Sequence, residues 1–256
     1  MPALYIRLLC LKDKLYVIED AAHAIDAFYK GRPLGSIGHL AAFSFHETKN
    51  ITCGEGGMLV INDQQFIDRA ETIIDKGTNR KAFLDGKTGK YQWVDLGSSY
   101  RLSETASAFL LAQLEKMEKI QKKRKAIWEK YFYAFNNMET DGLVTLPNIS
   151  EYSSNNAGVF YLVCKSAEIR TTLIKNLSES GICASFHYQP LHLSPYYLSK
   201  NTDKNKLPEA EKYGECLMRL PLYAGLSEND IDYIINGTIK NFNKRFDKIR
   251  AKNILD

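Results

Sequence analysis

The chain has 256 residues, 45% of them apolar and 25% charged, with a formal charge of +4. That is enough length for one large domain or two modest ones with a real core. So small a charge argues against nucleic-acid binding, where basic residues cluster on one face. Five scattered cysteines without a C-x-x-C pair argue against a disulfide framework or a zinc site and fit a reduced, cytoplasmic protein, and no apolar run is long enough to span a bilayer.

In chain order, residues 3–11 predict a short amphipathic helix rather than a secretory signal, because Arg7 interrupts the apolar stretch and Lys12, Asp13 and Lys14 follow it. "KLYVIED" (14–20), "HLAAFSF" (39–45) and "GGMLVIND" (56–63) predict three strands, with Gly- and Pro-containing connecting structure at 27–38. The period then changes. Phe66, Ile67, Ala70, Ile73 and Ile74 share one helical face, with Asn62 or Asp63 as cap and Gly77 as stop. Strands alternating with helices imply a mainly parallel sheet with helices packed on it.

Residues 77–101 carry no clear period, and a loop this long is functional or mobile. A helix starts near Ser103 and continues, long or kinked, through the charged run 115–130, whose charges form a solvated face. A domain boundary is expected there, giving 1–124 and 125–256. The second domain reads as small α+β: strand 158–164, helix 167–181 closed by Gly181, strand from 182 broken at Pro190, helix 209–220, and a last helix opened by the Ser227/Asp230 capping box. The basic C-terminal stretch reads as a helix end with a soluble tail.

In open parallel sheets, ligands sit beyond the carboxyl ends of strands. Asp20 and His23 fall at one such end, Ser44 and Lys49 at the next. An acid, an imidazole, a hydroxyl and an amine in one crevice suit pyridoxal 5'-phosphate. Its aldehyde takes a lysine amine, its ring nitrogen a carboxylate and its phosphate hydroxyls and backbone N–H groups. Taken singly, these residues have plainer readings. A strand-end Asp caps the next helix, a loop Lys is surface decoration, His23 is packing, and "GEGG" is a turn lacking G-x-G-x-x-G spacing.

The blocks "YVIEDAAHA", "GSIGHLAAFSFHETKNITCGEGGMLVIND", "DKGTNR", "LGSSYRLSETASAFLLAQL" and "FHYQPLH" occur in the order seen in the DegT-type sugar-nucleotide aminotransferases, which the chain resembles from about residue 3 to about residue 240. The resemblance implies a fold-type-I PLP-dependent transferase: an α/β large domain, incomplete here, plus a small C-terminal α+β domain. It implies that Lys49 holds the cofactor and moves protons. Asp20 would pair with the pyridinium, His23 lie beside the ring and Ser44 contact the phosphate. Related dehydratases carry histidine in place of the lysine, so Lys49 favours transamination.

Arg101 is a candidate for phosphate or substrate carboxylate across a homodimer interface, or equally for a salt bridge at its helix start. His187 and His192 are candidates for facing the sugar nucleotide. The "SFHETKN" form is similar to members that make dTDP-4-amino-4,6-dideoxygalactose from dTDP-4-keto-6-deoxyglucose and glutamate for surface glycans. Family members have a long stretch before the "VIEDAA" strand, with a phosphate-binding turn, a ring-stacking aromatic and further strands. Its absence predicts an exposed sheet edge or face and marginal stability. It leaves open a non-catalytic fragment, or half of a split aminotransferase needing a partner chain.

Overall fold

The computed structural model describes residues 15–201 and 206–253, with side chains described to residue 243. The helix expected at 3–11 lies outside the described residues. The chain divides into two compact units, residues 1–121 with 150–156, and residues 122–149 with 157–256.

The first unit is built on a three-stranded sheet in the order β1 (Ile18–Asp20), β4 (Leu40–Ser44), β5 (Gly57–Ile61), with a separate two-residue pair β2 (Phe28–Tyr29) and β3 (Arg32–Pro33). β1 pairs parallel with β4, whereas β5 runs antiparallel to β4, with Ser44 opposite Gly57. The sheet among the described strands is therefore mixed, where the pattern predicts a mainly parallel one. The reason lies in the link between β4 and β5. A parallel return needs a long crossover, normally a helix, and residues 45–56 contain only turns. One face of the sheet packs Ala41, Phe43 and Val60 with Ala21, Ala24 and Leu34. The other face is open: Ile18 is 67% and Leu59 53% exposed.

Glu19 anchors the strand crossing. Its carboxylate accepts from the N–H groups of Gly35 (2.9 Å), Ile37 (2.6 Å) and Gly38 (2.6 Å), fixing the loop that feeds β4. The Asn62 amide holds the same loop from the other side, donating to the carbonyls of Gly35 (2.9 Å) and Gly38 (3.0 Å). Glu19→Ala is expected to cost about 1–3 kcal/mol by stranding these donors, read as a lowered urea midpoint.

Asp63 caps the turn that opens α1 (Ile67–Ile74), and Gly77 follows it at φ +72°. The stretch expected to lack period folds back instead. It includes α2 (Arg80–Leu84) and bridges Asp75 to Ser99 and Thr78 to Trp93. Gly77 and Gly97 are needed there because their backbones touch; a Cβ on Gly97 would lie 2.2 Å from the Gly77 nitrogen. The helical stretch after Ser103 is two helices, α3 (Glu104–Glu115) capped by the Ser103 hydroxyl, and α4 (Met117–Thr140), broken at Lys116. Phe45, Ile51 and Leu110 form a second core cluster with Leu102, Met117 and Ile120.

The second unit has a four-stranded antiparallel sheet in the order β6 (Val144–Thr145), β7 (Phe160–Cys164), β9 (Leu217–Leu220), β8 (Ser185–Phe186). Its helices are α5 (Ala167–Glu179), α6 (Pro195–Lys200), α7 (Pro208–Cys216) and α8 (Glu228–Asn253). The helix expected over 209–220 stops at Cys216, because Leu217, Met218 and Leu220 are buried in the central strand β9. The core gathers Tyr131, Phe135, Phe160, Leu162, Leu173, Met218 and Phe242. Gly181, at φ +74°, ends the stretch after α5, and Ser227 with Asp230 makes the expected box before α8.

Candidate active site

β1 and β4 end side by side, with Asp20 opposite Ala42. Since side chains alternate along a strand, Asp20, Ala42 and Ser44 share one face, the open one. Asp20 is exposed, and its Oδ1 accepts the Ala22 N–H at 3.1 Å. No helix follows β1 before β2, so this bond closes a local turn rather than capping a helix. The Ser44 Oγ accepts the His46 N–H at 3.4 Å. Between Asp20 and Ser44 the floor is Ala42, and beside Ser44 on β5 lies Gly57; both are small.

The loops that leave these two strands meet through their side chains. The Lys49 Nζ lies 2.8 Å from the His23 Nε2. Lys49 sits at the end of a tight turn in which its N–H donates to the His46 carbonyl at 2.9 Å. His46 braces that turn: its Nδ1 accepts the Thr48 N–H at 3.2 Å, so its ring hydrogen is on Nε2, 3.4 Å from Glu55. The chain then returns through the glycine cluster, with Cys53 N–H donating to the Phe45 carbonyl and Phe45 N–H to that of Gly56. At Gly56 a Cβ would come 2.4 Å from the Cys53 Sγ and 3.0 Å from Leu102. Burial, then the neighbouring Glu55 charge, pushes the Cys53 thiol up from its ordinary pKa.

Beneath Lys49 runs an amide network. The Asn50 side chain donates to the Gln121 Oε1 (3.0 Å) and the Asn156 carbonyl (2.7 Å). Gln121 donates to the Asp26 Oδ2 (3.2 Å) and the same carbonyl (3.1 Å). The Asn156 amide donates to the carbonyls of His23 (2.8 Å) and Ile25 (2.9 Å). None of these residues stands out in the sequence, because the partners lie far apart along the chain; the only local signal is an amide directly after the lysine.

The remaining candidates belong to other elements. Arg101 forms an ion pair with Asp75 at 3.7 Å, and Arg80 reaches the same Asp75 oxygen at 3.3 Å; of its two expected roles, the salt bridge is the one present. His187 and His192 belong to the second unit. His187 is exposed, its pKa lowered by partial burial and then by Arg219. His192 Nε2 lies 3.1 Å from Glu211, which also accepts the Leu207 N–H at 2.9 Å. The Leu207 bond, then His192, holds the Glu211 carboxyl below its usual range. A depressed carboxyl stabilises above the unfolded pKa of ~4.3 and loses that stabilisation as pH falls through the folded value. Thermal melts below pH 5 should therefore fall less steeply for Glu211→Gln than for the wild type. Among the described residues no group of three or more His, Cys, Asp and Glu is arranged to hold a metal ion, and no helix is long and apolar enough to cross a membrane.

The fold is that of the α/β, fold-type-I aminotransferases. It superposes with a TM-score of 0.85 on the aminotransferase from Psychrobacter cryohalolentis, 27% identical, over 94% of this chain and 66% of that one. It is also similar to Spr1654 from Streptococcus pneumoniae in its PLP form, at TM-score 0.78 and 26% identity, over 90% of this chain and 58% of that one. The sequence profile of the DegT/DnrJ/EryC1/StrS aminotransferase family matches residues 4–238, and the chain belongs to that family. It is 33% identical over 229 residues to the spore coat polysaccharide biosynthesis protein SpsC of Bacillus subtilis, covering 86% of this chain and 58% of SpsC. The chain spans 60% and 58% of the lengths of the first two curated relatives it matches.

Proposed function

We propose that this chain carries the lysine-bearing part of a pyridoxal-phosphate-dependent aminotransferase acting on a sugar nucleotide. The observation that carries the reading is the Lys49 amine, 2.8 Å from the His23 imidazole, on the loops leaving the two strands that present Asp20 and Ser44 on one open face. The donor set fits the cofactor. Lys49 would join its aldehyde, Asp20 keep its ring nitrogen protonated, Ser44 bind its phosphate and His23 lie beside the ring, while Ala42 and Gly57 leave room for a flat heterocycle. When bound, the cofactor supplies an electron-withdrawing ring that lets an amino acid lose its α proton. Lys49 Nζ is the group that takes and returns that proton, and His23 Nε2 is the side-chain partner that positions it. The PLP form of Spr1654 and the name of SpsC support the cofactor and the polysaccharide setting.

The finer reading rests on the "SFHETKN" resemblance: dTDP-4-keto-6-deoxyglucose as acceptor, glutamate as donor and dTDP-4-amino-4,6-dideoxygalactose as product. A homodimer is part of the proposal, supported by the exposed Trp93 (74%) and Leu96 (79%) in the first unit. A cytoplasmic setting is proposed on the scattered spacing of the cysteines. Arg101, released from Asp75, and the small-domain His187 and His192 are proposed substrate contacts. The testing experiment adds pyridoxal phosphate, reduces with borohydride and maps the modified lysine by peptide mass spectrometry. An adduct on Lys49 supports the reading; labelling spread over exposed lysines overturns it.

A second reading is favoured by the open sheet face. Ile18 and Leu59 flank Asp20 and Ala42 there, and apolar surface of this kind marks an interaction site. On this reading the chain is half of a split enzyme, completed by a partner chain equivalent to the part of the relatives it does not match. Co-expression with the segment of SpsC outside the matched residues distinguishes the two. Trapping at Lys49 only in that complex favours the split enzyme. Trapping in neither case leaves a non-catalytic fragment.

A further inference from the structure

We propose that Asn156, acting with Asn50 and Gln121, is a positioning clamp that holds the Lys49 amine and the His23 imidazole at contact distance. The meaning of that distance for catalysis rests on the function proposed above; the clamp itself rests on geometry. The two loops also share an apolar contact, Ile25 against the Phe45 and Ile51 cluster, which fills space without orienting either polar side chain. Past the β1–β4 ladder, one backbone bond, Ala21 N–H to the Ala42 carbonyl at 3.0 Å, continues the pairing. Beyond it, the chain carrying His23 and the chain carrying Lys49 are tied through Asn156. Its side chain grips the main chain of His23 and Ile25, on either side of Ala24, and its carbonyl takes both the Asn50 and the Gln121 amides. Asn50 is the residue after Lys49, so the grip passes from the backbone of His23 to the backbone of Lys49 through Asn156 and Asn50.

Three features separate this from general packing. Both hydrogens on each of the three amides have a named acceptor, which fixes orientation as well as distance. Asn50 is 9% and Gln121 2% exposed, so the two amides held by the Asn156 carbonyl are shielded from water, while the Asn156 side-chain bond to His23 lies at the surface. The Gln121 amide also holds Asp26, a non-glycine residue at φ +54°. That left-handed conformation persists where the surroundings over-determine it. Apolar side chains would fill the same space without directing the carbonyl of His23.

The test is competitive acetylation with acetic anhydride at fixed pH, read lysine by lysine. The variants are Asn156→Ala, Asn156→Asp, which keeps the shape but cannot donate, and Glu19→Ala, which destabilises the same unit away from the network. In the wild type, half-buried and hydrogen-bonded Lys49 should react at least fivefold more slowly than exposed Lys90 and Lys175. Both Asn156 variants should bring it within twofold of them, and Glu19→Ala should leave it slow. The clamp is overturned if wild-type Lys49 reacts like the exposed lysines, if either Asn156 variant stays at least fivefold slow, or if Glu19→Ala accelerates Lys49 equally. Borohydride trapping with pyridoxal phosphate on the same samples is a separate readout. A wild-type Lys49 without an adduct sinks the cofactor reading for the chain by itself, while the anhydride result alone decides the clamp.

Discussion

Lys49→Ala is expected to abolish the borohydride-trapped pyridoxal adduct at position 49 and to lower any transamination by at least the roughly 10²–10⁴-fold that a positioned proton carrier supplies. The folded chain should survive the change. Lys49 is half-buried in a turn held by its backbone N–H and by His46, and the side chain's contact is with the exposed His23. A melting temperature close to that of the wild type together with complete loss of the adduct is the expected pair of results. Lys49→Arg sharpens the test. Its guanidinium keeps the positive charge beside His23 but stays protonated and does not join an aldehyde, so it should bind pyridoxal phosphate without a borohydride-stable link. An adduct that persists in either variant on a neighbouring lysine would remove Lys49 from the role.

The largest stability effect is expected at Phe160. Its side chain is fully buried in the second unit, with ring centroids 5.2 Å from Tyr131, 5.5 Å from Trp128 and 6.0 Å from Phe135. It lies on β7 opposite Leu220, so sheet and α4 converge on one ring. Phe160→Ala removes that ring from a site whose walls are strands and a long helix and cannot close in. A loss of about 3–5 kcal/mol is expected, against a total of about 5–15 kcal/mol for an ordinary domain. Phe160→Leu retains most of the volume and should cost much less, under ~1.5 kcal/mol if the neighbours repack. Urea titrations followed by tryptophan fluorescence measure both, since Trp128 packs on the same ring.

Local signals were legible in the sequence where they act locally. The apolar face from Phe66 to Ile74, the helix start near Ser103, the Gly181 stop and the Ser227/Asp230 box each depend on residues within one or two helical turns, and each is present. The direction of β5 was not legible, because "GGMLVIND" reads as a strand whichever way it runs; the helix-free link before it decides. Helix 209–220 was over-extended for a related reason. Leu217, Met218 and Leu220 are apolar in either pattern, and only pairing with β7 makes them a strand. At the candidate site, the sequence offers Asp20, His23, Ser44 and Lys49, which sit on strand ends and the loops after them. The residues that join those loops, Gln121 and Asn156, come from a helix and a distant turn, and no spacing connects them to Lys49.

The discontinuity of the first unit bears on how the protein is born. During synthesis, residues 15–121 emerge before their last component, 150–156, has left the ribosome, and nascent domains fold as units from the N-terminus. The lysine loop must therefore wait with an unfilled berth until Asn156 arrives. Expressing residues 1–121 alone would give a chain whose Asn50 and Gln121 amides each lack the Asn156 carbonyl, whereas a linker joining 121 directly to 150 would restore the missing strap and make the lysine-bearing unit available for study on its own.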